Sequence, residues 1–433
     1  MLHNQVETDS HATLHGSLEN IFNVLAGRNF RLLWLGEGAS LLGDQFYLVG
    51  LGWLTMQLTG SSLVLGASMM TAALPRAILM LVGGAITDRF SPRSVMLVSN
   101  ALRAVITILL TALAFTDSLQ LWQLYVLAAS FGIVDAFFYP AYGTMIPIMV
   151  GKENLEAGNG IMYGTMQLSL LVGPAAAGFL IAKTDLPFAF AFDAATFIFA
   201  SLTLILMRLK PDLETGEAKP RRVSPPGIHG MSLGKSGSLL TEIHDGLEYV
   251  IRHPLLGPLL GLVAAVHFAI DAPVFVGVTA LASKRFIGAE NLGIMLSAWG
   301  GGALLGALIA GVWRVKNRGG VVLGLAALLG VLFITLGFLP TLFLVTVDLA
   351  LMGLANGYWS VLGIAWVQKV VPDEFRGRAM SVVMLASAGI VPFSYALAGW
   401  LADLNLTLMF IIAGAVILFT VASAGRNRAL RAM

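Results

Sequence analysis

Charged side chains inside long apolar stretches are the residues of this sequence with the clearest potential for chemistry. An ionised group in the hydrocarbon core of a bilayer costs about 2.5–3.5 kcal/mol on insertion scales, so its presence indicates pairing or a transport role. Asp44, Arg76, Arg103 and Asp135 stand in such stretches. Glu37 lies two helical turns before Asp44, on the same helix face. We expect this set to bind and release a proton, because desolvation favours a neutral carboxyl and a guanidinium favours the ionised one.

Other kinds of site are excluded by composition and spacing. The chain has no cysteine, and its seven histidines show no HExxH or comparable spacing, so we expect no metal. The stretch GMSLGKS, Gly230–Ser236, has three residues between its glycines where a phosphate-binding loop has four. We therefore expect no cofactor and an ion gradient as the energy source. The net charge of +2 predicts no nucleic acid partner.

The elements that must position these charges are membrane-spanning helices. Of the 433 residues, 57% are hydrophobic and only 12% charged, and the mean hydropathy is +0.83. A spanning helix needs about 20 apolar residues. The sequence predicts an all-α membrane protein with twelve transmembrane helices: Phe30–Leu58, Leu63–Thr87, Val95–Phe115, Leu121–Pro147, Leu155–Ile181, Pro187–Met207, Leu255–Leu281, Leu292–Val312, Val321–Leu339, Leu342–Val370, Met380–Leu401 and Leu406–Ala422.

The distribution of Lys and Arg predicts the orientation. Most of the 26 basic residues fall on one side of the membrane when the N-terminus is inside. We expect a multi-pass protein of the cell membrane with both termini in the cytoplasm. The predicted organisation is a cytoplasmic segment 1–29, a six-helix bundle 30–207, a cytoplasmic linker 208–254 with an amphipathic helix that regulates or simply docks, a second bundle 255–422, and a tail 423–433.

The two halves of the chain resemble each other. At an offset of 221 residues, VGKENLEAGNG at Val150–Gly160 lies over VPDEFRGRAMS at Val371–Ser381, and Gly178 lies over Gly399. Parallel halves around a central site are typical of secondary transporters.

The chain resembles the major facilitator superfamily, and within it the prokaryotic drug:proton antiporters that include macrolide and siderophore exporters. The resemblance runs from Arg28 to the last helix and is carried by RNFRLLWLGEGASLLGD, LPRAILMLVGGAITDRF, DGLEYVIRHPLLGPLL and VPDEFRGRAMS. It implies a monomeric transporter, not an enzyme, that exports a drug-like compound, antibiotic or siderophore against protons by alternating access. Its partners would be a small-molecule substrate, protons and the lipid bilayer.

The resemblance also implies a cytoplasmic gate. The superfamily loop G-x-x-x-D-R-x-G-R-R is matched here except that Ser91 and Pro92 stand where a glycine and a basic residue are usual. In the family geometry Asp88 meets the start of the eleventh helix, whose backbone N–H groups favour an anion. A solvated loop acid is the alternative. The predicted gate residues are Gly84, Asp88, Arg89 and Arg93 on one side and Glu374, Arg376 and Arg378 on the other.

Small residues predict close helix contacts. The run GPAAAG, with Gly173, Pro174 and Gly178, predicts a bend in the fifth helix beside the interface between the halves. Four glycines of the eighth helix favour packing over hinge motion: Gly300, Gly301, Gly302 and Gly306.

Several assignments stay open at the level of the sequence. Asp44 is the first choice of proton carrier and Asp135 the second, while a static Asp44–Arg76 pair is the alternative. Asp271 and Asp348 are acids without a basic neighbour in a helix centre, and Asp193 and Asp403 are expected near the outer ends of their helices. The alternatives to drug export are a lipid or lysolipid flippase of the same fold and a non-transporting sensor or scaffold.

Overall fold

The computed structural model describes residues 20–87, 89–151, 153–209, 256–313, 315, 318–370 and 373–426. Within them it contains twelve long helices and no β-strand. The helices are α1 Arg28–Thr59, α2 Ser62–Thr87, α3 Pro92–Phe115, α4 Leu121–Val150, α5 Leu155–Lys183, α6 Leu186–Leu206, α7 beginning with Leu256–Ala272, α8 Ala289–Val312, α9 Arg318–Leu336, α10 Leu342–Val370, α11 Asp373–Leu404 and α12 Leu406–Ala424.

Each predicted segment coincides with one helix, and two of the predicted bounds were wrong. The seventh helix runs beyond Leu281 through a second π-helical turn, Ala282–Phe286, after a first one at Pro273–Gly277. The eleventh begins at Asp373, before its apolar part, because a helix can continue past the membrane surface. Ten helices are long and apolar enough to cross a membrane by length and composition in the described residues. The expected linker helix lies outside them.

Local signals set several helix ends. Gly60 closes α1 in the left-handed region, with φ of 64°, and donates its N–H to the carbonyl of Met56 at 2.8 Å. Pro92 occupies the first turn of α3, where its missing N–H costs no hydrogen bond. Asn405 caps α12 by accepting from the N–H of Leu408 at 2.9 Å. These short connections keep successive helices antiparallel.

The helices pack as two groups of six. In the first, α1 packs against α5 and α6, α2 against α4, and α3 against α4 and α6. In the second, α8 packs against α10, α7 against α11, and α9 against α10 and α12. The two groups meet mainly where α5 crosses α8 and where α2 crosses α11. The domain boundaries given above remain predictions.

Glycines make both crossings possible. A Cβ added at Gly178 of α5 would collide with the carbonyl oxygen of Ala289, and one at Gly293 of α8 with that of Pro174. At the other crossing, Gly66 of α2 and Gly399 of α11 face each other, and a Cβ added at either would lie 3.0 Å from the Cα of the other. Gly178 and Gly399, which the sequence repeat aligns, thus perform the same task in the two halves. Small residues allow helix backbones to approach closely.

The predicted bend sequence and the glycine-rich eighth helix lie on this contact. The N–H of Ala175 donates to the Ser297 hydroxyl at 2.9 Å, across the two groups of helices. Gly300 faces the carbonyl of Leu170, whereas Gly302 and Gly306 face carbonyls of α10. These contacts support the packing interpretation of the α8 glycines.

The two ends of the molecule differ. We call the end that carries the α1–α2 connection the predicted outer end and the opposite one the predicted cytoplasmic end. Both crossings lie towards the predicted outer end. Towards the predicted cytoplasmic end, an added Cβ at Gly160, Gly164 or Gly389 would meet no atom within 4 Å. Towards the predicted outer end the described helices are thus in direct contact at both crossings, whereas the three glycines named have free space beside them.

Candidate functional site

A cluster of charges lies inside the first group of helices. Asp135 of α4 accepts a hydrogen bond from Nη2 of Arg103 on α3, and its other oxygen lies 3.7 Å from Nη1 of Arg76 on α2. Arg103 is 1% exposed, while the Arg76 side chain is 37% exposed. One acid thus bridges two bases, one held tightly and one loosely. The alternative Asp44–Arg76 pair is not among the ion pairs of the described residues.

Aromatic rings surround the buried guanidinium. The central carbon of the Arg103 guanidinium lies 3.9 Å from the ring centroid of Phe138, 5.6 Å from that of Phe131 and 5.5 Å from that of Phe197. Its Nε and Nη1 have no hydrogen-bond partner among the described atoms. Cation–π attraction therefore replaces part of the hydration that this cation has lost. The rings also keep water from the Arg103–Asp135 pair.

The two acids of α1 approach this cluster differently. Glu37 is 2% exposed, and its Oε1 accepts from the side-chain amide of Asn100 on α3 at 3.4 Å. Asp44 lies within electrostatic reach of Arg103, Asp135 and Arg76, but its buried Oδ1 has no hydrogen-bond partner in the described structure. The structure thus brings Asp44 to the charge cluster without placing it in an ion pair.

The sequence interpretation placed Asp193 near the outer end of its helix, and the structure shows that this was wrong. Asp193 is 0% exposed, because α6 begins at Leu186 and Asp193 lies two turns inside it, where α6 packs against α1. It is the only charged side chain of α6. That isolation in an apolar helix is the sequence signal that could have identified Asp193 as a buried acid. Its distance of about 10 Å from the start of α6 is also too great for an interfacial residue.

The predicted cytoplasmic gate is described only in part. Asp88 lies outside the described residues, and the side chains of the gate residues on α11, Glu374, Arg376 and Arg378, are not described. Arg93 donates to the carbonyls at the end of α6, at 2.9 Å for Leu204 and 3.0 Å for Ile205. Arg89 is exposed, and Gly84 has open space beside it. The contact between Asp88 and α11 remains a prediction.

The predicted outer end has an acid at a helix N-terminus that sequence reasoning did not assign. Asp403, near the end of α11, accepts from the Ser61 hydroxyl at 2.5 Å and from the N–H groups of Ser62 and Leu63 at 2.6 and 3.1 Å. Lys284 donates to the same carboxylate at 3.1 Å. A carboxylate at this place satisfies free N–H groups of α2 and the positive end of its dipole. We call these contacts the Asp403 clasp; it joins the two groups of helices.

The acids of the second group of helices have local partners. The Thr335 hydroxyl donates to Asp348 at 2.9 Å. His267 Nδ1 lies 3.3 Å from Asp271 Oδ2, four residues along α7. The expectation that Asp271 has no basic neighbour was therefore wrong, because a spacing of four residues places His267 on the same helix face.

Comparison with known proteins supports the assignment that this geometry suggests. A family model described as transmembrane secretion effector, of the major facilitator superfamily, matches residues 20–433. Macrolide efflux protein A of Streptococcus pyogenes is 23% identical over 394 residues, which cover 90% of this chain and 93% of that protein. Multidrug efflux pump Tap of Mycolicibacterium fortuitum is 28% identical over 400 residues, covering 87% of this chain and 92% of Tap.

Solved transporter structures share the fold. A POT family transporter in complex with 5-aminolevulinic acid matches with a TM-score of 0.71 and 14% identity, covering 93% of this chain and 97% of that one. The nucleoside transporter NupG matches with a TM-score of 0.67 and 13% identity, covering 92% and 98%. The chain therefore belongs to the transmembrane secretion effector family of the major facilitator superfamily and is a multi-pass membrane transporter, not an enzyme.

Proposed function

We propose that the protein exports small amphipathic molecules in exchange for protons, by alternating access. The observation that carries the proposal is the buried charge cluster: Asp135 holds both Arg76 and Arg103, and Asp44 lies beside them without a partner of its own. The names of the relatives, a macrolide efflux protein and a multidrug efflux pump, support export and the class of substrate.

The coupling follows from the difference between the two ion pairs of Asp135, of which the one with Arg103 is close and the one with Arg76 is longer. Arg76 is the looser partner and belongs to α2, the helix that crosses α11 of the other half. When the halves rock, α2 moves with that crossing, and Arg76 changes its distance from the acids. An acid that loses a guanidinium neighbour in a dry environment takes up a proton, and it releases the proton when the cation returns. A proton taken up from outside is thus carried to the cytoplasmic side while substrate moves outward.

Alternating access would use the two ends in turn. In the described arrangement the α5–α8 and α2–α11 crossings hold the two groups of helices together towards the predicted outer end. Opening that end requires the glycine contacts and the Asp403 clasp to separate, and the predicted Asp88 contact would form at the other end. Each state would then be stabilised by an acid at a helix N-terminus, on α2 in one state and on α11 in the other.

The test is transport of a radiolabelled macrolide into liposomes that contain the purified protein and bear a pH gradient. We expect accumulation that a protonophore abolishes. Asp44→Asn should abolish gradient-driven accumulation while retaining macrolide binding and should flatten the pH dependence of that binding. Accumulation unaffected by protonophore would refute proton coupling, and parental transport by Asp44→Asn would favour Asp135, Asp271 or Asp348 as carrier.

The same liposomes separate export of a drug-like molecule from the two alternative functions. Movement of a fluorescent lysolipid between leaflets, without macrolide accumulation, would indicate a flippase. Absence of flux for both probes, together with no thermal stabilisation by either, would indicate a sensor or scaffold.

A further inference from the structure

The contact between α1 and α6 contains buried polar atoms that have no hydrogen-bond partner. Both carboxyl oxygens of Asp193, Oδ1 of Asp44 and the hydroxyl of Tyr47 are buried and unpartnered among the described atoms. Most buried polar side-chain atoms in proteins have at least one partner, so a concentration of exceptions requires an explanation. These three residues lie in one place, and the proposed coupling through Asp44 accounts for only one of them.

The geometry brings the Asp193 carboxyl onto the backbone of α1. A Cβ added at Gly43, the residue before Asp44, would lie 2.6 Å from Oδ1 of Asp193 and would collide with the Thr196 hydroxyl. That hydroxyl donates to the backbone carbonyl of Asp193 at 2.7 Å, so this hydrogen bond does not serve the carboxyl group. Glycine at position 43 therefore allows the Asp193 carboxyl to approach the backbone of α1 at the residue before Asp44.

The charges around Asp193 do not neutralise it locally. The neighbours that act on it electrostatically are Asp44 on α1, Arg103 on α3 and Asp135 on α4, and Tyr47 of α1 is close as well. Arg103 is already hydrogen-bonded to Asp135. The remaining packed helix, α5, has only two charged side chains, Glu156 and Lys183, both near its ends. No Lys or Arg is within ion-pair distance of Asp193 among the described residues.

Two ionised carboxylates without donors are unstable in such an interior, because desolvation and mutual repulsion both oppose the second charge. A single proton removes the difficulty, since a neutral carboxyl has no charge to desolvate and does not repel the other acid. Asp135, by contrast, already has two guanidinium partners, Arg103 and Arg76.

We infer that Asp193 and Asp44 together form a two-carboxyl site that holds the coupling proton of the proposed exchange. Proton uptake forms one O–H bond on a carboxylate oxygen from a hydronium ion and leaves water; release reverses this step, with no other bond changed. The inference rests on the proposed function and replaces a single carrier, Asp44, by a pair of residues on α1 and α6.

The direct test is infrared spectroscopy of the purified protein at neutral pH. Protonated carboxyl groups have a carbonyl stretch separate from that of carboxylates, which shifts on exchange into heavy water. We expect the parent to show this band and Asp193→Asn to lose most of it. Asp348→Asn, which removes a buried acid from the other half, is the matched control and should lose at most its own contribution. Retention of the full parental band in Asp193→Asn would overturn the site.

The second readout connects the site to transport. In liposomes, Asp193→Asn should exchange labelled for unlabelled macrolide as the parent does but should not accumulate it under a pH gradient. Asn has nearly the shape of a neutral Asp, so the thermal unfolding midpoint should change little. If that variant is unstable, Asp44→Asn replaces it in both measurements, because it removes the other carboxyl of the pair.

The outcomes separate the two claims. Gradient-driven accumulation by Asp193→Asn at the parental level would overturn the inference while leaving the proposed function intact. A parent that ignores the pH gradient, combined with loss of the infrared band in Asp193→Asn, would overturn proton coupling and with it the transport role of the site, although the shared proton itself would be real.

Discussion

The two ends of the molecule are built from different kinds of contact. At the predicted outer end, α5 and α8 meet through glycines against carbonyl groups, and the Asp403 clasp adds hydrogen bonds around the start of α2. Towards the predicted cytoplasmic end, a Cβ added at Gly160 or Gly164 of α5 or at Gly389 of α11 would meet no atom within 4 Å. Helix backbones that fit closely together exclude water from the crossing. The charged groups of the Asp403 clasp are partly exposed, so their hydrogen bonds can break and re-form in contact with water. We therefore expect shape to supply most of the free energy that holds this end together and charge to supply a smaller part.

The strongest way to break the closed end is to add volume where helices cross. In Gly178→Val the side chain would collide with the Ala289 carbonyl, and overpacking of this kind costs about 1–3 kcal/mol. We expect the ratio of molecules with a closed outer end to molecules with an open one to fall roughly tenfold or more. Spin labels on Cys introduced at Leu58 and Phe338, both exposed, would report the separation, because the chain has no native cysteine. Gly164→Val, at an open position of the same helix, is the control; equal label distances in both variants would contradict the shape argument.

The Asp403 clasp is the next target. Asp403→Asn keeps an acceptor but removes the charge from the start of α2 and from Lys284, which should cost about 0.3–1 kcal/mol at this half-exposed place. We expect the outer label distance to lengthen by a population shift of about two- to fivefold at low salt. The shift should shrink in high salt, because the Debye length falls to about 3 Å at 1 M. Asp185→Asn, an exposed acid at the same end, should have no such effect; a salt-independent change would count against an electrostatic role.

The smallest effect is expected at the predicted cytoplasmic end. Asp88→Asn should leave folding intact, since an acid at a helix end contributes about 0.3–1 kcal/mol, and should favour the inward-open arrangement and lower flux. The change is best measured both with and without saturating substrate, because the predicted contact would form in only one state of the proposed exchange. The predicted gate would be refuted if label distances across the predicted cytoplasmic end were identical in variant and parent.

The fold was predictable because helix length and hydrophobicity are local properties. A rise of 1.5 Å per residue also placed Asp44, Arg76, Arg103 and Asp135 at similar depth. Which acid receives which base was not predictable, since that depends on the rotation of each helix about its axis, and packing of all six helices sets this rotation. Asp135 therefore forms ion pairs with both guanidinium groups, and Asp44 forms an ion pair with neither.

For two further acids, the sequence did not predict the environment that the structure shows. Asp193 was expected near the outer end of its helix, although its isolation in an apolar helix indicated burial. Asp403 was expected near the outer end, and the structure agrees, but its contact with the start of α2 joins residues about 340 positions apart. No local pattern contains such a contact.

The glycine-to-carbonyl crossings also bear on the energy balance of a cell. Helix backbones in direct contact leave no file of water molecules between them, and without such a file protons cannot pass by hopping along hydrogen bonds. In the proposed exchange, contacts of bare backbone at these crossings would let the inner side stand open without a leak of the proton gradient. Larger side chains would hold the helices apart at Gly66, Gly178, Gly293 or Gly399. We expect such variants to show a proton leak that is not coupled to substrate transport before they lose the fold.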